Sequence, residues 1–278
     1  MPAVWPGYDG EVTPNRARQR RAPAGMPQPA ARRRFRSLLL GWYRRHGRDL
    51  PWRRTDDPYH ILVSEIMLQQ TQVDRVLPKY GEWLAKYPSL DALAAAPEDE
   101  VVRTWYPLGY NIRPRRLHAI ARETVERYGG ELPSDGETLR SFKGIGEYTA
   151  GAIRSFAFGQ RAAILDTNVA RVLLRVFLGG GDARAHATRR HLWRVSEVLV
   201  PRRDGFDFNQ ALMDLGAMVC IARGPRCLVC PLARMCAAFP CCPETAPASP
   251  ASARRPESST APARARARRT HSRRGAAG

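Results

Sequence analysis

The chain has 278 residues, enough to bury a substantial core, and a formal net charge of +19 at pH 7. A charge of this size favours a polyanionic partner. The sequence contains no run of eighteen apolar residues and no recognisable secretory signal, so a membrane protein is not expected. The composition therefore predicts a soluble protein of the cytoplasm or nucleoid.

Much of this charge lies at the two ends of the sequence. Residues 1–34 hold seven Arg against two acidic residues, and residues 241–278 hold eight Arg against two. Both segments are rich in Pro and Ala and lack apolar periodicity, which is typical of disordered segments. We predict basic disordered tails over 1–34 and 243–278, with a folded core between them over 35–242.

Apolar residues recur at three- and four-residue spacing along the core, and this pattern predicts an all-α fold. Asp57-Pro58 supplies a cap and a first-turn proline to one helix, and Gly129-Gly130 ends another. The predicted helices cover residues 36–46, 58–76, 91–105, 113–128, 147–158, 167–178, 187–200 and 207–219.

Glu65 lies within an otherwise apolar helical stretch. Burial there would raise its pKa and keep a proton available near neutral pH, as a general acid requires. The alternatives are a solvated helix glutamate or a capping partner. The polar run Gln69 to Gln72 follows it, and such side chains can bond base edges or fill a gap in a base stack.

Two aromatic motifs are candidates for DNA contact. Tyr110 follows Gly109 in a short loop, where an aromatic side chain can wedge between base pairs. Trp52 stands beside Arg53, which offers an aromatic face next to a planar cation. Core packing is the alternative for Tyr110, and a tryptophan that anchors a surface loop is the alternative for Trp52.

The segment from Ser141 to Asp166 combines a glycine-rich turn with a carboxylate. Gly144 and Gly146 precede a helix, so backbone amides and the positive helix end can hold a DNA phosphate. Asp166 follows that helix and precedes Thr-Asn-Val, which is an ordinary N-cap pattern. A capped carboxylate is fixed in direction and held ionised. Paired with a protonated Glu65, it can break a bond to an anomeric carbon.

Four cysteines near the end of the core have the spacing C-x6-C-x2-C-x5-C. A compact set of thiols in an intracellular protein is more often a metal site than a disulfide framework. One short pair suits a cubane iron-sulfur cluster, although the spacing leaves zinc and inert buried thiols open. Arg223, Arg226 and Arg234 lie between the cysteines and can reach phosphates. The candidate ligands are Cys220, Cys227, Cys230 and Cys236.

Together these motifs resemble the MutY-type adenine DNA glycosylases of the helix-hairpin-helix (HhH-GPD) superfamily, which also contains the endonuclease III and thymine mismatch glycosylase branches. The resemblance covers residues 36 to about 236. Its motifs occur in family order: Leu50-Pro51-Trp52-Arg53, Ser64 to Gln72, Leu108-Gly109-Tyr110, Gly144-Ile145-Gly146, Leu165-Asp166-Thr167-Asn168, Phe208 to Ala217, and the four cysteines.

The resemblance implies a two-lobed helical fold with a cleft that admits a base flipped out of the duplex. A hairpin lobe would span roughly 57–165. The second lobe would combine 35–56 with 166–242 and carry a [4Fe-4S] cluster on a loop over 220–236. The implied partner is double-stranded DNA that contains a mismatch, bound by a monomer.

The resemblance also implies a role for each candidate residue. Glu65 would protonate the departing base and later handle the attacking water. Asp166 would stabilise the oxocarbenium-like sugar, with Asn168 supporting it and Tyr148 assisting the same step. Base-pocket positions are matched by Trp52, Arg53 and Gln210, and stack-penetrating positions by Gln69, Gln70 and Tyr110.

The residue at position 148 distinguishes the branches of the superfamily. The endonuclease III branch has a lysine at this position, which forms a Schiff base with the sugar, whereas this chain has Tyr148. The resemblance thus implies a monofunctional adenine glycosylase, with Lys143 contacting phosphate. Typical members continue into a second domain that reads 8-oxoguanine. Here the ordered pattern stops near residue 242, so discrimination is expected to rest on the catalytic core.

Two other functions remain open at this point. The nearer one is removal of thymine or uracil from mismatches with guanine by the same machinery. The more distant one is a noncatalytic DNA-binding protein whose cluster senses redox state.

Overall fold

The computed structural model describes residues 26–239, and the predicted tail residues 1–25 and 243–278 lie outside the described residues. Within 26–239 the chain is helical and contains no strand, which confirms the all-α prediction for this part. The helices are α1 Pro29–His46, α2 Pro58–Leu68, α3 Val73–Lys86, α4 Leu90–Ala95, α5 Glu98–Trp105, α6 Ile112–Tyr128, α7 Gly136–Ser141, α8 Glu147–Phe156, α9 Thr167–Leu173, α10 His186–Leu199 and α11 Gly205–Met218.

The first helix corrects the boundary of the N-terminal tail, because α1 begins at Pro29 and not after residue 34. Pro29 occupies the first turn, where its missing N–H costs nothing. Nε of Arg32 donates to the carbonyl of Pro27 at 2.6 Å, and Phe35 is fully buried one turn later. The arginines of 32–34 are therefore the polar face of a packed helix and not part of a tail.

Two predicted helices are each divided in the structure. The segment predicted over 58–76 separates into α2 and α3, with a turn at 69–72 in which Gln70 has φ 57°. The segment predicted over 91–105 separates into α4 and α5 at Ala96, which is extended with ψ 147°. Ala96 precedes Pro97, and the proline ring disfavours the helical conformation at the preceding residue.

Two local features do not appear in the predicted pattern. The short helix α7 is capped by Asp135, whose side chain accepts from the N–H of Thr138 at 2.8 Å. A π-helical turn, Leu174–Leu178, extends α9. Its carbonyls at 175 and 176 accept from the N–H groups of residues 238 and 237 at 3.0 and 2.9 Å. The turn therefore docks the end of the described chain.

The helices pack in two groups that share one continuous core. The first group consists of α2 to α8. In the second group α1 packs against α10 and α11, and α11 also contacts α9 and, across the groups, α8. Asn209 on α11 links the groups, because its Nδ2 donates to Oγ of Ser155 and to the carbonyl of Ala162, both at 2.9 Å. No helix within 26–239 is long and apolar enough to cross a membrane.

Candidate active site and cysteine loop

Glu65 lies in the third turn of α2, with 5 % of its surface exposed. Its pKa is raised to about 7, mainly by burial and also by the charge of Asp166. The hydroxyl of Tyr148 and the charge of Arg53 oppose this rise. The carboxyl group therefore carries a proton in a substantial fraction of molecules near neutral pH, which suits a general acid.

Tyr148 lies in the first turn of α8 and faces both carboxyl groups. Burial raises the pKa of its hydroxyl well above the ordinary value, and the charges of Glu65 and Asp166 add to this effect. Its hydroxyl donates to Sδ of Met213 at 3.3 Å. At neutral pH the phenol is thus a hydrogen-bond donor and not a base.

Asp166 is the N-cap of α9, and its side chain accepts from the N–H of Val169 at 2.6 Å. Nδ2 of Asn168 donates to its second oxygen at 3.1 Å. Burial raises the pKa of Asp166 above its ordinary value, and the hydrogen bonds from Val169 and Asn168 oppose that rise without reversing it. The cap and the predicted catalytic carboxylate are therefore the same group, held in one direction.

Arg171 fixes the orientation of the Asn168 amide. Its Nη2 donates to Oδ1 of Asn168 and to the carbonyl of Gly216, both at 2.7 Å. Its Nε donates to the carbonyl of Cys220, also at 2.7 Å. A chain of hydrogen bonds thus runs from Asp166 to the backbone of the first cysteine.

Arg53 is held by a buried carboxylate on α11. Its Nη1 and Nη2 each donate to one oxygen of Asp214 at 2.8 Å. Arg48 donates to the same carboxylate through its backbone N–H at 2.9 Å and its Nε at 2.7 Å. Asp214 is fully buried, and its charge balances that of Arg53 close to Glu65.

The other predicted base-pocket residues lie on the adjoining elements. Trp52 is buried, and its ring packs edge-on against Tyr80 with centroids 5.3 Å apart. Gln210 is buried on α11, next to the linking Asn209. Contact of these side chains with a flipped base stays a prediction.

The turn 142–146 joins α7 and α8 as the predicted hairpin. Gly144 has φ 111°, and a Cβ at this position would approach Cδ of Arg116 to 2.9 Å. Gly146 precedes α8 with open space beside it, and Lys143 is exposed in the same turn. The first turn of α8 has N–H groups available for an anion. Binding of a DNA phosphate here stays a prediction.

The predicted stack-penetrating residues lie on two neighbouring turns. Gln69 ends α2, and Gln70 is exposed beside it. Tyr110 is 62 % exposed in the turn before α6 and has φ 51°. Arg75, in the first turn of α3, contacts the second of these turns, since its Nη2 donates to the carbonyl of Pro107 at 2.8 Å.

The four predicted ligand cysteines are half-buried and border one cavity of about 370 Å³. Cys227 lies in a short 3₁₀ turn, Cys227–Val229, whose other two residues are exposed. Nη1 of Arg175 donates to Sγ of Cys220 at 3.4 Å and to the carbonyl of Ile221 at 2.8 Å. The cysteine loop is thereby fastened to the π-helical turn after α9.

Comparison with known proteins identifies this arrangement. Residues 63–197 match the family described as HhH-GPD superfamily base excision DNA repair protein. The adenine DNA glycosylase of Homo sapiens is 47% identical over 214 residues, covering 73% of this chain and 39% of that protein. The thymine/uracil-DNA glycosylase of Pyrobaculum aerophilum is 37% identical, covering 74% of this chain and 91% of that protein. The chain belongs to the HhH-GPD superfamily.

A solved structure supports the same assignment. The structure of a thermostable thymine-DNA glycosylase is 34% identical, with a TM-score of 0.70, and covers 75% of this HhH-GPD chain and 96% of that chain. The two-lobed HhH glycosylase fold predicted from the motifs is therefore confirmed. The chain spans about two fifths of the length of the human adenine DNA glycosylase it matches.

Two glycines to which the sequence motifs gave no role bring the HhH-GPD site together. A Cβ at Gly151 would lie 2.2 Å from the carbonyl of Ala163, so α8 packs directly on the segment before Asp166. A Cβ at Gly216 would lie 2.8 Å from Cβ of Asn168. Both glycines occur in helical segments of apolar character, and that unusual placement was the available signal.

Proposed function

We propose that this HhH-GPD protein is a monofunctional DNA glycosylase of base excision repair. It would hydrolyse the N-glycosidic bond of adenine mispaired with guanine or 8-oxoguanine. The observation that carries the proposal is that Glu65, Tyr148 and Asp166 meet at one site, where burial of Glu65 raises its pKa to about 7. The 47% identity to the human adenine DNA glycosylase favours adenine as the base.

In this proposal Glu65 donates its proton to a ring nitrogen of the flipped adenine. The bond from that base to the sugar then breaks, and its electron pair leaves with the neutral base. The carboxylate of Asp166 stabilises the positive charge that develops on the sugar. Water adds to the anomeric carbon, and its proton returns to Glu65.

The absence of an amine at position 148 supports hydrolysis without strand cleavage. Tyr148 cannot form a Schiff base with the sugar. Lys143 is the nearest lysine in the sequence, and it is exposed in the hairpin turn, where we propose that it contacts a DNA phosphate. Trapping with borohydride should therefore yield no stoichiometric adduct between the protein and its DNA substrate.

Removal of thymine or uracil is the second candidate. The likeness to the thermostable thymine-DNA glycosylase, at 34% identity over 96% of that chain, favours it. Both candidates use the same three residues at the site, and they differ in the base that is released.

A panel of defined duplexes separates these candidates. We expect release of adenine opposite guanine and 8-oxoguanine, with no release of adenine opposite thymine and none of thymine or uracil opposite guanine. Alkali-dependent strand cleavage on gels measures base loss, and cleavage without alkali measures lyase activity. Release of thymine but never adenine would replace the first candidate by the second.

Asp166→Asn is the matched control for this panel. Asn is as good an N-cap as Asp, so α9 keeps its first turn while the carboxylate charge is lost. Base release should disappear while binding to a mismatched duplex is retained. Unchanged turnover would contradict the catalytic assignment, and no turnover by the unmodified protein on any duplex would favour the noncatalytic redox-sensing protein.

Double-stranded DNA that contains a mismatch is the proposed partner, bound by a monomer in the nucleoid. The exposed residues Arg223, Arg226 and Arg234 lie on the cysteine loop and supply charges for phosphates. Binding should weaken as salt rises, because each neutralised phosphate releases counterions.

We propose that the four cysteines hold a [4Fe-4S] cluster. They border one cavity of about 370 Å³. Four thiols with one short C-x2-C pair suit a cubane iron-sulfur cluster. When bound, the cluster would cross-link the loop after α11.

Cys230→Ser is expected to remove the cluster and to destabilise the loop, because metal binding and folding are coupled. Iron, acid-labile sulfide and visible absorption of anaerobically purified protein measure the loss. Cys241→Ser, outside the predicted ligand set, is the control and should retain iron and sulfide. Zinc without sulfide in the unmodified protein would contradict the cluster.

A further inference from the structure

Arg113 on α6 is a buried cation that contacts the turn after α2. It is 4 % exposed. Its Nη1 donates to the carbonyl of Met67 at 3.0 Å, to Oγ1 of Thr71 at 2.9 Å, and at shorter range to the carbonyl of Gln69. One guanidinium nitrogen therefore contacts the chain on both sides of Gln70, through backbone carbonyls before it and the Thr71 hydroxyl after it.

The other guanidinium nitrogen of Arg113 contacts the turn before α6. Its Nη2 donates to the carbonyls of Leu108 and Gly109 at 3.0 and 3.1 Å. The guanidinium carbon lies 5.2 Å from the centroid of the Trp105 ring and 5.3 Å from that of Tyr110. A single side chain thus links both turns that carry the predicted stack-penetrating residues.

The positive charge of Arg113 is stabilised without an acidic partner among the described residues. Within residues 26–239 Arg113 forms no ion pair with a carboxylate. Carbonyl dipoles and two aromatic faces stabilise its charge instead, and its Nε is buried without a hydrogen-bond partner. Burying a guanidinium without a carboxylate partner costs free energy, and an apolar side chain would anchor the helix without that cost. What the guanidinium adds is a fixed distance between the two turns.

Both linked turns hold a residue in the left-handed region. Gln70 has φ 57° and Tyr110 has φ 51°, and Asp204 is the third such non-glycine residue within 26–239. This conformation is costly for side chains other than glycine and persists only where the surroundings enforce it. The hydrogen bonds of Arg113 to the neighbouring carbonyls provide that enforcement on both sides.

We propose that Arg113 is a positioning residue that makes the two turns one rigid wedge. Gln69 and Gln70 on one turn and Tyr110 on the other would then enter the duplex together at a fixed separation. The mismatch is recognised because its weaker stack can be opened by that wedge. This inference rests on the proposed glycosylase function, since it assumes that the turns meet DNA.

The test compares Arg113→Met with Arg115→Met in an Asp166→Asn background that binds without cleaving. Arg115 is exposed on the same helix and paired with Glu98, so it controls for the loss of one positive charge. Affinities are measured for a mismatched and a matched duplex. Fluorescence of 2-aminopurine opposite guanine reports opening of the stack.

Arg113→Met should lower mismatch affinity by roughly tenfold to hundredfold, the range expected from losing one or two base-stacking contacts. The affinity of Arg113→Met for the matched duplex should not change. Its 2-aminopurine fluorescence on the mismatched duplex should fall, while that of the control Arg115→Met should stay the same. Arg113→Lys keeps the charge but has one nitrogen, which cannot span both turns, so a partial loss is expected.

An equal loss of matched and mismatched affinity, or no loss of either, would overturn the positioning role. If Arg113→Met does not fold, Arg113→Lys decides by the same affinity ratio. A parent protein that does not distinguish the two duplexes would contradict the proposed function and not the role of Arg113.

Discussion

Glu65→Gln is expected to lower the single-turnover rate of base release by about a thousandfold, within the usual range for losing a general acid. Gln fills the same volume but has no proton to donate at neutral pH. DNA affinity should stay close to that of the unmodified protein, because Glu65 is buried. Quenched-flow assays on the mismatch duplex measure the rate, with Glu98→Gln, an exposed glutamate, as control.

The pH dependence sharpens this expectation. Because the pKa of Glu65 is raised to about 7, its protonated form is lost as pH rises through that value. The rate of base release by the unmodified protein should therefore fall as pH rises above about 7, which gives the pH–rate profile an alkaline limb. The profile of the residual activity of Glu65→Gln should have no such limb. Retention of the limb in Glu65→Gln would assign it to another group.

The free energy of unfolding should also change as Glu65 titrates. The folded protein binds the proton of Glu65 more tightly than the unfolded chain, so the free energy of unfolding falls as pH rises from about 4.5 to about 7. The cost of burying the carboxylate reaches about 3 kcal/mol above that range. Glu65→Gln should therefore gain stability relative to the parent at pH 8 but not at pH 4, as urea unfolding can measure.

The sequence predicted helix positions well where a local signal marked the boundary. Asp57 caps α2 through hydrogen bonds from residues 59 and 60, and Gly129 ends α6 with φ 62°, both as expected. The break between α2 and α3 had no such local signal, since glutamine favours a helix. Its cause is a tertiary contact, the hydrogen bonds that Arg113 donates from some forty residues away.

The candidate site shows the same division. Burial of Glu65 could be inferred from its apolar neighbours, and Asp166 from its cap pattern. The pairing of Arg53 with Asp214 could not be inferred, because it joins residues 161 positions apart. An acidic residue inside the apolar segment of α11 was the available signal, and it is informative only once the packing of α11 is known.

Asp214→Asn is expected to destabilise the protein by about 3–5 kcal/mol, the usual cost of removing one partner from a buried ion pair. The side chains of Asp214 and Arg53 are 0% and 6% exposed. Burial raises the pKa of Asp214, but hydrogen bonds from Arg53 and Arg48 outweigh it and lower the pKa below its ordinary value. The stabilisation is therefore present at neutral pH and is lost as pH falls below the ordinary range of Asp. Urea unfolding at pH 7 measures the loss.

Asp214→Asn should also shift the pH dependence of base release. Without the charge of Asp214, the positive charge of Arg53 near Glu65 is no longer balanced, and it lowers the pKa of Glu65. The alkaline limb of the rate should then move to lower pH. Asp99→Asn, whose 70% exposed side chain pairs with Arg103, is the control and should cost under about 1 kcal/mol without moving the limb. A limb that stays in place while stability falls would show that Asp214 supports the fold without setting the proton affinity of Glu65.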